Sequence, residues 1–460
     1  MSRAPYDGAQ QKAVSERATR AWSTAYHSAW VFPVSSPPIR DGAVLVEDGV
    51  IQWVGPREKL PHAAQAHIVE LGHAVLAPGL VNAHTHLDLT ALRGLLDGET
   101  FFGWIRAVVA SRDVLNAAEH LDAARAGIAE GLAAGVTTFA DTSPTSVAFD
   151  AMRDMGVRGI AYIETFGPDA AQCASSLDAL KARVGALHPL ETPLVKLGVS
   201  PHAPYSVSDA LYAATASFAR DERLPLATHV GEGAAETEYV TEGRGPFAEL
   251  LAGRGIAVAP RGRSPVAMLD ANGVLGPDTL LIHCVRCDPA DIAIIARDDA
   301  AVVTCPYSNR YFSHGEAPVR ALSAAGVRLA VGTDSMASNT HMDPLAEAHA
   351  ALGGRESDWP EAWEMATLGG ARALGLGDVI GSLEPGKSAD LTAFTMSESA
   401  AASHTPPAAA PAARKALLTV VAGADRVRGH RLVGDEAGIT VRANLAAAKL
   451  REWRRRAPRA

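Results

Sequence analysis

The sequence predicts an α/β fold: a parallel (β/α)₈ barrel of the TIM type, carrying a small β-sandwich built from both chain ends. Three observations predict it. Eight short apolar runs alternate with Ala-rich amphipathic stretches through the middle of the chain. The two ends have a different, turn-rich and alternating pattern. Histidines and acids recur where the central runs stop, and that face of a barrel carries the active site.

The elements follow in order. Residues 1–24 are polar and read as a flexible leader without the apolar stretch of a signal peptide. Residues 25–75 form the first part of the sandwich. There Val44, Val46, Ile51 and Trp53 alternate around the turn Asp48-Gly49, a hairpin pattern. Residues 76–376 form the barrel, with strands expected at Leu76–Val81, Val136–Ala140, Val157–Ile163, Val195–Val199, Leu226–Thr228, Thr279–Ile282, Ala301–Thr304 and Leu329–Val331. Stretches of helical period, such as Ala117–Ala134 and Ser208–Arg220, fall between them. Residues 377–440 complete the sandwich around an Ala/Pro-rich loop at 400–413. Residues 441–460 read as a solvated basic tail.

Bulk properties narrow the function classes. The 460 residues carry a formal net charge of −9, which is no electrostatic footprint for nucleic acid or an anionic membrane. Four cysteines argue against a disulfide framework, and Cys284-x-x-Cys287 lacks the second pair of a zinc site. No apolar run is long enough to span a bilayer. The expectation is a cytoplasmic protein acting on a small molecule, with no nucleic-acid or membrane partner and with a homodimer as a candidate assembly.

The strand ends carry the chemistry. The first strand runs into His84-Thr85-His86, and residues two apart in an extended chain point the same way. The fifth ends at His229 and the eighth at Asp334. Three imidazoles and a carboxylate suit one divalent cation, zinc first and iron or manganese as alternatives. His202 and His283 stand at the ends of strands four and six. So many imidazoles on one face are hard to explain as packing, because burying them unpaired costs free energy. Such a metal acidifies water, and the attack needs proton carriers. Asp334 beside the water is the first base. His283 can orient the nucleophile. Glu232, three residues after His229, can serve as general acid, or alternatively cap the following helix. Glu236 is read as a supporting residue.

The stretches Ala77–His86, His229-Val230-Gly231-Glu232, Ile282-His283-Cys284 and Gly332-Thr333-Asp334-Ser335 resemble the amidohydrolase superfamily, most closely its mononuclear nucleobase and nucleoside deaminase branch. The resemblance runs from about Val44 to Phe394 and includes Gly381–Leu391. It implies a distorted barrel with a flanking sandwich. It matches His84, His86, His229 and Asp334 to metal ligands, Glu232 to the proton carrier and His202 to a substrate contact. Two-metal members bridge their ions from a middle strand. Here Lys196 starts strand four, about 20 Å before His202 if extended, so one metal is expected.

The substrate reading rests on two loops. Glu99 and Trp104 lie in the aromatic segment Glu99–Trp104, a candidate lid over a base, with core anchoring as the alternative. Asn309 and Arg310 leave strand seven. Arg310 could grip a carboxylate through paired hydrogen bonds, or else pair with Glu316. A carboxylate-binding arginine makes the chain similar to deaminases of 6-aminodeoxyfutalosine, an adenine nucleoside with an acidic tail on the futalosine route to menaquinone. The alternatives are another amidohydrolase, acting on guanine, adenosine, S-adenosylhomocysteine, methylthioadenosine or a triazine, and, from a different class, an inactive barrel that only binds.

Overall fold

The computed structural model describes residues 23–61, 66–403 and 415–456. The expected leader (apart from residues 23 and 24), most of the Ala/Pro loop and the last four residues lie outside them. The chain opens with β1 (Ser23–Val31), β2 (Ile39–Glu47), β3 (Val50–Pro56), β4 (His67–Glu70) and β5 (Ala74–Pro78). The barrel follows with β6 (Leu80–Thr85), β7 (Val136–Ser143), β8 (Arg158–Thr165), β9 (Val195–Pro201), β10 (Leu226–Val230), β11 (Thr279–His283), β12 (Ala301–Thr304) and β13 (Arg328–Val331). Then come β14 (Leu391–Thr395), β15 (Leu418–Val421), β16 (Ala424–Arg428) and β17 (Arg431–Leu432).

The eight barrel strands are parallel and paired in chain order from β6 to β13. Closure is made where Asp334 N donates to His84 O at 3.0 Å and Thr85 bridges Asp334. Helices cover the outside. That at Ala117–Ala133 starts on a capping box, Asn116 with Glu119, and buries Ala123, Ala124, Ile128 and Leu132. That at Asp209–Glu222 stops where Arg223 turns left-handed.

The other nine strands form one mixed sheet from both chain ends, joined where β14 runs antiparallel to β5. The expected hairpin is β2–β3, with Val46 opposite Ile51, and Asp48 and Gly49 both have positive φ as a tight hairpin turn requires. The sheet curls on itself: Ala389 donates to Gly49 O and accepts from Gly423 N, so the two outer hairpin tips meet. Tyr26, Val44, Ile51, Leu391 and Val420 share the resulting core. Arg158 at the foot of β8 clamps the sheet to the barrel through a buried ion pair with Asp390, at 2.9 Å from each of two guanidinium nitrogens.

Two expectations need correction. The single first strand at Leu76–Val81 is two strands: β5 belongs to the mixed sheet and β6 to the barrel. Gly79 sits at the switch, where a Cβ would meet Thr137 Oγ1 at 2.1 Å, so only glycine allows the close pass. The basic C-terminus is not a solvated tail. Glu436–Arg456 is a helix that buries Ile439, Ala446 and Leu450, because its apolar residues recur at helical spacing beneath the charged face. Among the described residues no helix is long and apolar enough to cross a membrane.

Candidate active site

The barrel brings the strand-end residues to one mouth. His84 lies within β6 and His86 just after it, while His229 lies in β10 and Asp334 follows β13. His84 Nε2 is 3.4 Å and His86 Nε2 3.6 Å from Asp334 Oδ1. The rings of His84 and His229 are 5.0 Å apart, and those of His86 and His229 5.5 Å.

The backbone aims these rings. His86 Nδ1 faces Thr142 O at 2.8 Å, and His229 Nδ1 faces His202 O at 3.0 Å. Carbonyls only accept, so both rings carry the proton on Nδ1 and turn the Nε2 lone pair inward. His84 Nε2 is fully buried and has no hydrogen-bond partner. Burial lowers its pKa to about 4 and holds His229 well below its usual range, so both are neutral, as ligation requires. Burial alone would raise Asp334, but the adjoining His84 ring and the other imidazoles around it outweigh that and hold it well below the ordinary value. Ser308 Oγ donates to Asp334 Oδ2 at 2.6 Å and Ser335 N to Oδ1 at 2.7 Å. Two sets, His84 with His86 and Asp334, and His84 with His229 and His283, have donor atoms all within 4.8 Å of one another. An orphaned inward nitrogen, neutral imidazoles and an ionised carboxylate fit one divalent cation. Lys196 is exposed and paired with Glu191 at the far end of β9, away from this set.

The residues expected to handle protons stand alongside. His283 closes β11 with φ +75°, a left-handed conformation uncommon for residues other than glycine. Its Nδ1 faces Asn309 Oδ1 at 3.0 Å, which leaves the Nε2 lone pair facing the mouth. Glu232 is buried, and that burial, with Asp334 and Glu236 adding, pushes its pKa well above the usual value. A carboxyl whose environment favours its protonated form suits a general acid. Glu236 accepts from Gly231 N at 2.8 Å and Glu232 N at 2.9 Å, which holds the turn carrying Glu232.

Beyond the histidines lies a cavity of about 440 Å³. His202, Glu232, His283 and Asp334 line its polar end, while Leu89, Ile105, Val108, Phe247 and Leu251 line an apolar wall. Trp104 also faces it, fixed by an Nε1 hydrogen bond to Ala337 O at 3.1 Å. The aromatic segment therefore serves both readings: Phe101 and Trp104 line the cavity, and Phe102 packs on Phe247.

Three expected substrate contacts are placed elsewhere. Arg310 points to the surface, where it pairs with Glu316 at 3.4 Å and donates to Ala350 O at 3.3 Å. The helix Pro306–Tyr311 begins directly after β12, and its rotation carries Arg310 outward while Ser308 and Asn309 face in. Glu99 forms an ion pair with Arg454 of the C-terminal helix and does not line the cavity. Asn309 positions His283 and is not a cavity residue.

The structure adds residues that sequence reading missed. Glu164, near the end of β8, is buried in the cavity wall with Oε1 unpartnered, and its carboxylate lies near His202 and His229. Extending the third strand one residue past Ile163 would have flagged it. Arg112 and Arg254 are the cavity's cations. Arg112 is held by Asp88 at 2.9 Å, while Arg254 on the rim has no ion pair among the described residues. His314 approaches Glu232 at 3.7 Å from a loop, for which no strand-end signal exists.

The amidohydrolase family signature matches residues 75–424. The chain is 33% identical over 363 residues to the 5-methylthioadenosine/S-adenosylhomocysteine deaminase of Syntrophobacter fumaroxidans, covering 76% of this chain and 79% of that one. It is 36% identical over 321 residues to the aminodeoxyfutalosine deaminase of Deinococcus radiodurans, covering 66% and 74%. The zinc-bound crystal structure of an adenosine deaminase from Xanthomonas campestris superposes with a TM-score of 0.81 at 30% identity, covering 94% and 99%.

Proposed function

The chain belongs to the amidohydrolase family, and on that premise we propose that it is a hydrolytic deaminase of adenine-type nucleosides carrying a large 5′ substituent. The observation that carries this reading is the composite cavity: about 440 Å³ lined both by the proton carriers and by an apolar set, Leu89, Ile105, Val108, Phe247 and Leu251, for which the deamination chemistry itself has no use. His84, His86, His229 and Asp334 would hold one divalent metal, zinc first. Bound there, the ion supplies a nucleophile at neutral pH by acidifying water.

The remaining work falls to side chains. Asp334 takes the proton of the attacking water. His283, with its proton fixed on Nδ1 by Asn309, accepts at Nε2 and orients the attack. Glu232 protonates a ring nitrogen, so the ring accepts the electron pair as the new carbon–oxygen bond forms. The proton held by Asp334 then passes to the exocyclic amine, the carbon–nitrogen bond breaks as the new hydroxyl becomes a carbonyl and returns its proton to Glu232, and ammonia leaves. His202, its Nδ1 held by Ser206 at 2.7 Å, faces the base from the side of β9.

6-Aminodeoxyfutalosine is the favoured substrate, with S-adenosylhomocysteine and methylthioadenosine as the second reading. The names of the relatives support both. An acidic tail would meet Arg254 and not Arg310. The test is ammonia release from 6-aminodeoxyfutalosine, S-adenosylhomocysteine, 5′-methylthioadenosine, adenosine and guanine by zinc-loaded protein. A preference for the long 5′ substituents is expected. Turnover of guanine alone, or of none, would overturn the reading.

A further inference from the structure

Glu232 faces a second imidazole that the reaction scheme above does not use. Its Oε1 is 3.8 Å from His283 Nε2 and 3.7 Å from His314 Nε2. The two rings differ in what they offer. His283 is locked with its proton on Nδ1, so its Nε2 is an acceptor. His314 Nε2 is buried and has no hydrogen-bond partner. Carrying the ring proton, that nitrogen would be satisfied by Glu232 Oε1 once the carboxyl closes by a few tenths of an ångström.

The site of His314 is built. Its backbone N donates to Asn309 O at 2.9 Å, which ties the loop to the residue that orients His283. Its ring packs edge-on against Phe101 with centroids 4.7 Å apart, and beside Phe312 at 5.4 Å. Gly233, directly after Glu232, leaves the space: a Cβ there would meet His314 Nδ1 at 2.9 Å. Glu232 and His314 also share the wall of a side cavity of about 180 Å³, which gives the carboxyl room to settle toward the ring.

We propose that His314 is a positioning residue for Glu232: its Nε2–H holds Oε1, so that the acidic proton stays on the other oxygen and is presented to the substrate ring. Without that hold the carboxyl can turn its proton to the His283 lone pair, where it serves neither nucleophile nor ring. The role rests on the deaminase reading. It accounts for the approach of two imidazoles to one carboxyl oxygen.

The experiment compares wild type, His314→Leu, His314→Gln and His314→Asn, all zinc-loaded, with the best nucleoside of the panel. The expected result for His314→Leu is a kcat about 10- to 100-fold lower, KM within about threefold and unchanged metal content, in the range of a partial loss of general-acid catalysis. His314→Gln, which keeps an N–H donor, should recover most of the loss. Binding gives the second readout. Affinity for a coformycin-type analogue with a tetrahedral reacting carbon should fall with kcat, while affinity for the planar product stays constant. His314→Asn serves the same comparison if the Leu variant does not fold. Should the wild type release no ammonia from any nucleoside, the deaminase reading falls and this role with it. An active wild type with an equally fast His314→Leu, or with planar and tetrahedral ligands weakened alike, would overturn the role alone.

Discussion

Replacing Arg254 by methionine should penalise acidic nucleosides and spare neutral ones. Arg254 lines the rim of the main cavity without an ion-pair partner among the described residues, so a substrate carboxylate would be its first. A hydrogen bond to a charged group is worth about 1.5–3 kcal/mol in a protected setting. Arg254 is exposed, and solvent-exposed pairs fall to about 1 kcal/mol or less. A rim position backed by an apolar wall sits between these limits, at about 1–1.5 kcal/mol, or roughly 5- to 12-fold in kcat/KM. Methionine keeps much of the stem volume, so packing on the neighbouring wall changes little. The assay compares kcat/KM for 6-aminodeoxyfutalosine and S-adenosylhomocysteine with that for 5′-methylthioadenosine. Arg310→Met is the control. Its guanidinium is already spent on Glu316 and Ala350 O, and no selective loss is expected. Equal losses on acidic and neutral substrates with Arg254→Met, or a selective loss with Arg310→Met, would refute the reasoning.

Elemental analysis should find about one equivalent of zinc, iron or manganese per chain, and two tightly held ions in active protein would reject the single-metal set. Glu232→Gln keeps the side-chain shape and removes the proton carrier, so metal content should persist while kcat falls by at least about 100-fold; near-normal turnover would reduce Glu232 to a structural role. The metal-free protein should lose stability in mild acid. Burial holds His84, His202 and His314 to about 4, 3 and 4, below the unfolded value of 6.5. Between pH 6.5 and about 4 the unfolded chain therefore binds more protons, so stability falls as pH falls through that window. Urea titrations of metal-free protein at pH 7.5, 6 and 5 check this, and equal midpoints would contradict it.

The barrel was legible because each strand is a short apolar run bounded by turns and each crossover a helix with its own period. The curled sheet was legible as two alternating end segments, but its junction with the barrel was not. Ala74 to Val81 reads as one apolar run through Pro78-Gly79, and the crowding of Gly79 against Thr137 marks where the sheet strand ends and the barrel strand begins. The C-terminal helix was hidden for another reason. Its mean hydropathy is low and its buried residues are few, so the basic face dominated the reading, while the docking of Leu450 beside Leu96 and Val108 is a tertiary fact.

The site divides along the same line, and the division has a consequence for mechanism. The strand ends of a barrel share one face, so His84, His86, His229, His283 and Asp334 could be placed together from sequence, and the two-residue period adds the common direction of His84 and His86. A residue leaving the strand on a helix or loop has no such constraint. Arg310 turned outward with the first turn of its helix, Asn309 became a support for His283, and His314 turned inward from a loop of no particular pattern. The barrel strands therefore carry the proposed metal set and most of the proposed proton chemistry. Much of the cavity's outer wall lies on the crossover segments, such as the helices Phe101–Ser111 and Pro246–Ala252. On the proposed reading, changes there would alter which 5′ substituent fits and leave His84 and Glu232 in place. That separation is why the chemistry of this chain can be argued from strand ends, while its substrate has to be argued from Trp104, Leu251 and Arg254.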